Sequence, residues 1–197
     1  MDITDKVVRA WKTVREMLDD RGVDTAGSMD DAGITELASA QTTFGVPVND
    51  QVTVVFHIGL QSIKKAEMET ASEGATHVIV VLNTQASQGG KPNNATVKSL
   101  RQSTNDRGVK LEIFTLKEMQ FNVTKHTLVP KHTKLDKEES VSLVDKLCLK
   151  SRFLLPIISQ SDPVARYLGL NHGDIVSIDR PSLTNGAARA YRCCRKA

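Results

Sequence analysis

Between Gln51 and Leu116 the apolar residues change period in a fixed order, and that order leaves few folds open. Val52, Val54, Phe56, Ile58 and Leu60 alternate with other residues, the pattern of a strand with one apolar face. Val78-Ile79-Val80-Val81-Leu82 is a continuous apolar run, as expected of a central strand covered on both faces. Val109 to Leu116 reads as a further strand, with Lys110 and Glu112 alternating outward. Ser62 to Ser72 and Asn94 to Asn105 have helical character, the latter after a turn-rich Gln88-Gly89-Gly90-Lys91-Pro92. Strand, helix, strand, helix, strand at this spacing predicts a small sheet with parallel crossovers.

The flanks are of a different kind. Val7, Trp11, Val14 and Leu18 recur at helical spacing within residues 5 to 21, and Gly22 stands where a helix-ending residue belongs. Residues 24 to 50 are polar, with a short helix over 31 to 42. Near Glu118 to Asn122 the chain leaves the strand–helix unit. Val123 to Val129 then reads as extended and Lys137 to Leu147 as a helix. Asp162 to Leu168 reads as a short helix, with Ser161 or Asp162 as N-cap, Pro163 near its first position and Gly169 at its end. Ile175 to Arg180 and Ala187 to Arg192 look like two strands joined across residues 181 to 186. The expectation is a two-domain protein of α+β or α/β class. Residues 1–118 hold a small helix-flanked mixed sheet, and residues 119–197 form a compact α+β domain. With 197 residues, of which 40% are hydrophobic, each part can bury a core.

Charge separates the same two parts. Residues 1 to 120 carry 13 Lys and Arg against 16 Asp and Glu, whereas residues 121 to 197 carry 13 against 7. A basic C-terminal part suits an acidic partner or nucleic acid. The chain's eight aromatics do not interleave with its basic residues as a base-stacking platform requires. The start, Met1-Asp2-Ile3-Thr4-Asp5, lacks the basic and apolar stretches of a secretory signal, and no apolar run is long enough to span a membrane. The reading is therefore a cytosolic or nuclear chain with reduced thiols.

Motifs for catalysis fail one after another. Gly89-Gly90-Lys91 resembles the end of a phosphate-binding loop, but Gln85 stands where its first glycine belongs and Pro92 where a Ser or Thr belongs. His126 and His132 have no common zinc spacing, no Cys-x-x-Cys occurs, and Cys193-Cys194 on a strand would point to opposite faces. The acid pairs Asp19-Asp20, Asp30-Asp31 and Glu138-Glu139 read as solvated surface, and Phe114 stands where a nuclease lysine would follow Glu112. No cofactor, metal or catalytic residue is expected.

The C-terminal part carries more specific blocks. They are Asn122-Val123-Thr124-Lys125-His126-Thr127-Leu128-Val129-Pro130-Lys131-His132, Leu154-Leu155-Pro156-Ile157-Ile158, Asp162-Pro163-Val164-Ala165-Arg166-Tyr167-Leu168-Gly169-Leu170, Gly173-Asp174-Ile175-Val176 and Arg180-Pro181-Ser182. In this order they closely resemble the assembly domain of subunit five of the eukaryotic RNA polymerases, a domain that archaeal polymerases share. Arg9 to Gly22 is similar to the first helix of that subunit's jaw domain.

The resemblance implies a non-catalytic, nuclear subunit of a hetero-oligomer with no membrane association. Its C-terminal domain would dock on the largest polymerase subunit among the other polymerase subunits, and its jaw would lie beside downstream double-stranded DNA. The docking residues so implied are His126, Leu128, Val129, Pro130, His132, Asp162, Pro163, Arg166, Tyr167, Arg180, Tyr191 and Arg192. Tyr167 has an alternative place in the core, and Arg180 has Asp179 or Asp162 as alternative partners. Arg9, Lys12, Arg15, Lys64 and Lys65 are the candidates for DNA proximity, and the acidic balance of the jaw predicts weak duplex binding by the isolated protein.

The sequence departs from the family's pattern at several places. Ile157 stands where a basic residue commonly follows the proline, Asn171-His172 occupies a usually basic loop, and Asn185-Gly186-Ala187-Ala188 replaces Ser-Gly-Arg-Tyr. These changes imply a divergent copy dedicated to one polymerase class, nucleolar if that class is RNA polymerase I. The competing readings are a small α/β nuclease or nucleotide-binding protein built on residues 51 to 116, and a free transcription adaptor.

Overall fold

The computed structural model describes residues 2–59, 63, 65–72, 74–84, 92, 94–105, 107–182 and 186–196, with the backbone alone at Lys65, Ser103, Ser182 and Ala187. The chain divides into two compact units, Met1–Phe121 and Asn122–Ala197.

The first unit is built on a four-stranded sheet in the order β1-β2-β3-β4, comprising Thr43–Pro47, Val52–His57, His77–Leu82 and Lys110–Thr115. β2, β3 and β4 are parallel, and β1 closes the edge antiparallel to β2. The crossovers carry α3 (Lys65–Ala71) and α4 (Asn94–Asn105), which supply Met68 and Leu100 to a core with Val55, Val78, Val80 and Leu82. The alternate residues point to the other face. There α1 (Ile3–Asp20) buries Val7, Trp11, Val14, Met17 and Leu18, and the Trp11 ring meets the Phe56 ring edge-on at 6.2 Å. Phe56 in turn stacks on Phe44 of β1 at 5.4 Å. Gly22 ends α1 at φ +75, a value that costs a side-chain-bearing residue, while its N–H and that of Val23 reach back to the Asp19 and Leu18 carbonyls at 2.9 Å. α2 (Asp31–Ala40), capped by the Asp30 carboxylate, packs against α1.

Covering on both faces corrects two expectations. β2 has six buried residues, not one apolar face, because Thr53 and His57 are also enclosed, His57 through a 2.8 Å contact with the Thr43 hydroxyl. Glu112 does not point into solvent: β4 turns it toward the α1 side, where its side chain is 14% exposed against 49% for Lys110. The stretch expected to be polar with a short helix also contains β1, whose Phe44 and Val46 are buried. Gly45 is needed there because a Cβ would overlap the Ala71 carbonyl oxygen at the end of α3. The Gly89-Gly90-Lys91 turn and Gln85 lie outside the described residues.

The second unit has a sheet in the order β5-β7-β8-β6, comprising Lys131–Lys134, Ile175–Ser182, Gly186–Arg195 and Ile157–Ser159. β6 runs parallel to β8, and the other pairs are antiparallel. On one face α5 (Lys137–Lys146) brings Leu143 to Leu155, Ile175 and Cys193. On the other α6 (Pro163–Tyr167) brings Ala165 to Ile158, Leu170, Val176 and Cys194. The neighbouring cysteines thus anchor opposite cores, as strand alternation requires. Both helices start on side-chain caps: Asp136 and Glu139 form a reciprocal capping box for α5, and Asp162 accepts from the Val164 and Ala165 N–H groups ahead of α6. Val123–Lys125, expected to be extended, is a turn of 3-10 helix, because the Asn122 side chain caps it locally. Both units are mixed α+β.

Candidate docking surface

The stretch from Asn122 to His132 is held by its own side chains. Asn122 Oδ1 accepts from the Thr124 N–H at 2.9 Å and the Thr124 hydroxyl at 2.6 Å, while Asn122 Nδ2 donates to the Tyr167 hydroxyl at 2.8 Å. His126 Nδ1 accepts from the Leu128 N–H at 3.2 Å, and His132 Nδ1 lies 2.6 Å from the Pro130 carbonyl, to which it donates. Leu128 is 84% exposed, and Val129, Pro130 and His132 are half-buried. The chain then enters β5, where His132 lies opposite Ile178.

Asn122 therefore ties this stretch to α6. Pro163 is exposed at the first turn, while Asp162 and Arg166 are half-buried. Tyr167 is 2% exposed, so its ring belongs to the interior of the unit, and its hydroxyl accepts from Asn122 of the predicted docking stretch. Arg180, Tyr191 and Arg192 lie on β7 and β8, with Tyr191 on the sheet face opposite to that of Arg180 and Arg192. Asp179 binds Arg189 at 2.7 Å and not Arg180, and the Asp162 carboxylate is engaged as the cap of α6. Tyr191 packs beside Cys193, and Arg192 Nη1 donates to the Ile157 carbonyl at 3.2 Å.

In the first unit, Arg9 is exposed, Arg15 is half-buried, and Lys12 is paired with Asp31 at 2.9 Å. Lys64 and the Lys65 side chain lie outside the described residues. The strongest electrostatic feature here is Glu112, which meets Arg21 at 2.8 Å, His77 at 3.1 Å and Lys110 at 2.9 Å. Burial alone would push this carboxyl up. The His77 hydrogen bond, the Arg21 guanidinium and Lys110 together outweigh burial and hold it well below the usual carboxylate range. It is a brace between the end of α1 and the sheet.

Among the described residues no group of three His, Cys, Asp or Glu side chains could hold a metal ion, and no helix is long and apolar enough to cross a membrane. Burial pushes the thiols of Cys193 and Cys194 up, which disfavours the thiolate a ligand or nucleophile needs. A cavity of about 650 Å³ beside β1 and α3 is lined by residues that include Thr43, Thr53 and Thr70, and Glu67 is its one ionisable residue among those described.

One surface escaped the reading of the sequence. A single 3-10 turn, Arg152–Leu154, leads into β6, and Phe153, Leu154 and Ile157 are 39%, 64% and 52% exposed. The Phe153 ring is stacked on His172 at 5.2 Å, and the Arg195 guanidinium lies 5.4 Å from its centroid. Arg195 also donates to the Phe153 carbonyl, Arg152 donates to the Gly173 carbonyl at 3.4 Å, and the Lys196 N–H donates to His172 Nδ1 at 3.3 Å. Ile157, one position that departs from the family pattern, shares a sheet face with Arg195, and the Phe153 ring links Arg195 to His172, another such position. Those departures were the only signal of this surface in the sequence. Asn185 and the Ala187 side chain lie outside the described residues.

The second unit thus combines a sheet packed on both faces, short helices fixed by caps, and cations tethered to backbone carbonyls beside exposed apolar side chains. The family model described as RNA polymerase Rpb5, C-terminal domain, matches residues 121–194. The Dictyostelium discoideum protein named DNA-directed RNA polymerases I, II, and III subunit rpabc1 is 30% identical over 203 residues, covering 98% of this chain and all of that relative. The subunits RPABC1 of Caenorhabditis briggsae and Caenorhabditis elegans are each 38% identical over 149 residues, covering 73% of this chain and 65% of the relative. This chain belongs to the Rpb5 family of RNA polymerase subunits.

Proposed function

We propose that this chain is a non-catalytic structural subunit of a nuclear DNA-directed RNA polymerase, held in a hetero-oligomer with other polymerase subunits. The observation that carries the reading is that the likeness to the Dictyostelium subunit runs the full length of that relative and 98% of this chain, so it includes both units. In this reading Asn122–Ala197 is the assembly domain, docked on the largest subunit, and Met1–Phe121 is the jaw beside downstream duplex. The capped α6 and the self-bonded Asn122–His132 stretch support docking, because groups already fixed lose little entropy on association. Arg9, exposed on α1, supports only a weak DNA contact, since Lys12 is already paired with Asp31.

The relatives' names assign them to polymerases I, II and III together, which favours a shared subunit. A second reading, dedication to one class and a nucleolar place if that class is RNA polymerase I, is carried by the altered residues, of which Ile157 is exposed and His172 stacks on exposed Phe153. Affinity purification through this chain from its native source tests both. The expected result is recovery of the largest polymerase subunits in a very large complex. Recovery of all classes in equal yield rejects dedication, and a chain that runs alone rejects the subunit reading in favour of a free adaptor. Metal- or nucleotide-dependent thermal stabilisation of the isolated protein would instead support the enzyme alternative.

A further inference from the structure

We propose that the face built from Arg152, Phe153, Leu154, Ile157, His172 and Arg195 docks an acidic segment of the polymerase core that carries aliphatic side chains between its carboxylates. The inference rests on the subunit reading for the source of the segment, and it adds the face and the chemistry.

Charge complementarity carries it. Two cations of this unit are paired with acids, Lys134 with Asp174 at 2.7 Å and Arg189 with Asp179 at 2.7 Å. Among the described residues, Arg152 and Arg195 have no carboxylate partner and donate to backbone carbonyls. Arg195 makes one hydrogen bond from a group with five donors, and its Nε has no acceptor. An unneutralised, partly desolvated guanidinium gains most from a carboxylate supplied from outside, because both the charge and the fork geometry match.

The apolar half is equally specific. Ile157 lies opposite Cys193 and two residues from the position opposite Arg195, so its side chain shares a sheet face with both. Phe153 is fixed between His172 and Arg195. Leu154 and Ile157, 64% and 52% exposed, therefore flank a preorganised cationic stack. Arginine and an aromatic ring beside aliphatic side chains match the centre of a protein interface, in which a few such residues supply most of the binding energy. A nucleic-acid site would instead present cations without aliphatic surface, since phosphate contacts gain nothing from burying Leu154 and Ile157.

Two measurements on the full chain test this. Arg152→Glu with Arg195→Glu is expected to lower recovery of the largest polymerase subunit in affinity purification at least tenfold, as loss of paired interfacial charge does. Undiminished recovery overturns the proposal. Protection of Cys193 and Cys194 from thiol reagents reports whether the variant keeps its fold. If it does not, Leu154→Ala with Ile157→Ala replaces it, with the same expectation and the same refutation. In purified polymerase containing this chain with benzoylphenylalanine in place of Leu154, the cross-linked peptide is expected to belong to another polymerase subunit and to contain at least two acidic residues. A cross-linked peptide without acids, the lack of any cross-link, or loss of duplex binding by the charge variant with polymerase recovery intact, overturns it. Failure of the unaltered chain to recover any polymerase subunit overturns the subunit reading itself, and the proposal falls with it.

Discussion

Replacing Glu112 by glutamine keeps the shape of the side chain and removes the charge that Arg21, His77 and Lys110 share. Arg21 is 9% exposed and Glu112 14%, so the Arg21 guanidinium would be left largely out of water beside a neutral amide. Breaking one side of a buried pair costs about 3–5 kcal/mol, and the residual exposure here places the loss near the lower end, about 3 kcal/mol. Lys110, half-exposed, adds less than about 1 kcal/mol. At roughly 4 °C per kcal/mol for a unit of this size, the melting point of the first unit should fall by about 12 °C at pH 7.

Trp11, the single tryptophan, is fully buried in that unit, so its fluorescence follows this transition alone. The pH dependence gives a second check. The folded-state pKa of Glu112 is depressed, so its contribution is present above the unfolded value of about 4.5 and is lost as pH falls toward the folded one. The gap between the natural chain and Glu112→Gln should thus be widest near pH 7 and shrink by about 1.4 kcal/mol per pH unit below pH 4.5. A gap under about 1 kcal/mol at pH 7, or one unchanged down to pH 3.5, would refute the brace.

Two further tests use the same protein. Gly45→Ala should destabilise the first unit by about 3 kcal/mol in urea melts followed by Trp11 fluorescence, because the new methyl group meets the Ala71 backbone and not a flexible side chain; a change below 1 kcal/mol would show that α3 yields. Of the three cysteines, exposed Cys148 should react with a thiol reagent within seconds in the native protein, while Cys193 and Cys194, buried and with thiols pushed up, should react at least a hundredfold more slowly until the second unit unfolds; equal labelling of all three would contradict the two-sided core.

What could be read in the sequence was local. The Val78–Leu82 run, the Asn94–Asn105 helix and the α6 cap are each decided by neighbours within a few residues, and they stand as expected. Glu112 could not be read that way. Its partner Arg21 is 91 residues distant, and alternation in a strand cannot tell a solvent face from one covered by a helix that the pattern itself does not place. β1 is five residues long and contains glycine and proline, both poor strand formers, yet pairing with β2 and burial of Phe44 and Val46 override those preferences. Tyr167 was left between core and partner by its sequence, and the Asn122 bond and 2% exposure place its ring inside. Phe153 and Arg195 lie 42 residues apart and become neighbours only because β6 pairs with the last strand.

That pairing bears on how the second unit would be recognised. β6 is three residues long and could not hold a surface by itself, but Cys193 and Cys194 on its partner β8 are locked into opposite cores by α5 and α6. Any movement of β6 against β8 would disturb packing on both faces at once, so the interior fixes the register of Ile157, while the Phe153 stack holds Arg195 and His172 at the surface. On the proposed docking face the Phe153 ring is already held by His172 and Arg195, so the ordering cost of roughly 0.5–1.5 kcal/mol for that side chain is largely met during folding. It follows that weakening either core, far from the surface, should loosen docking before it unfolds the unit, whereas substitutions on the exposed face of α5 should leave docking unchanged.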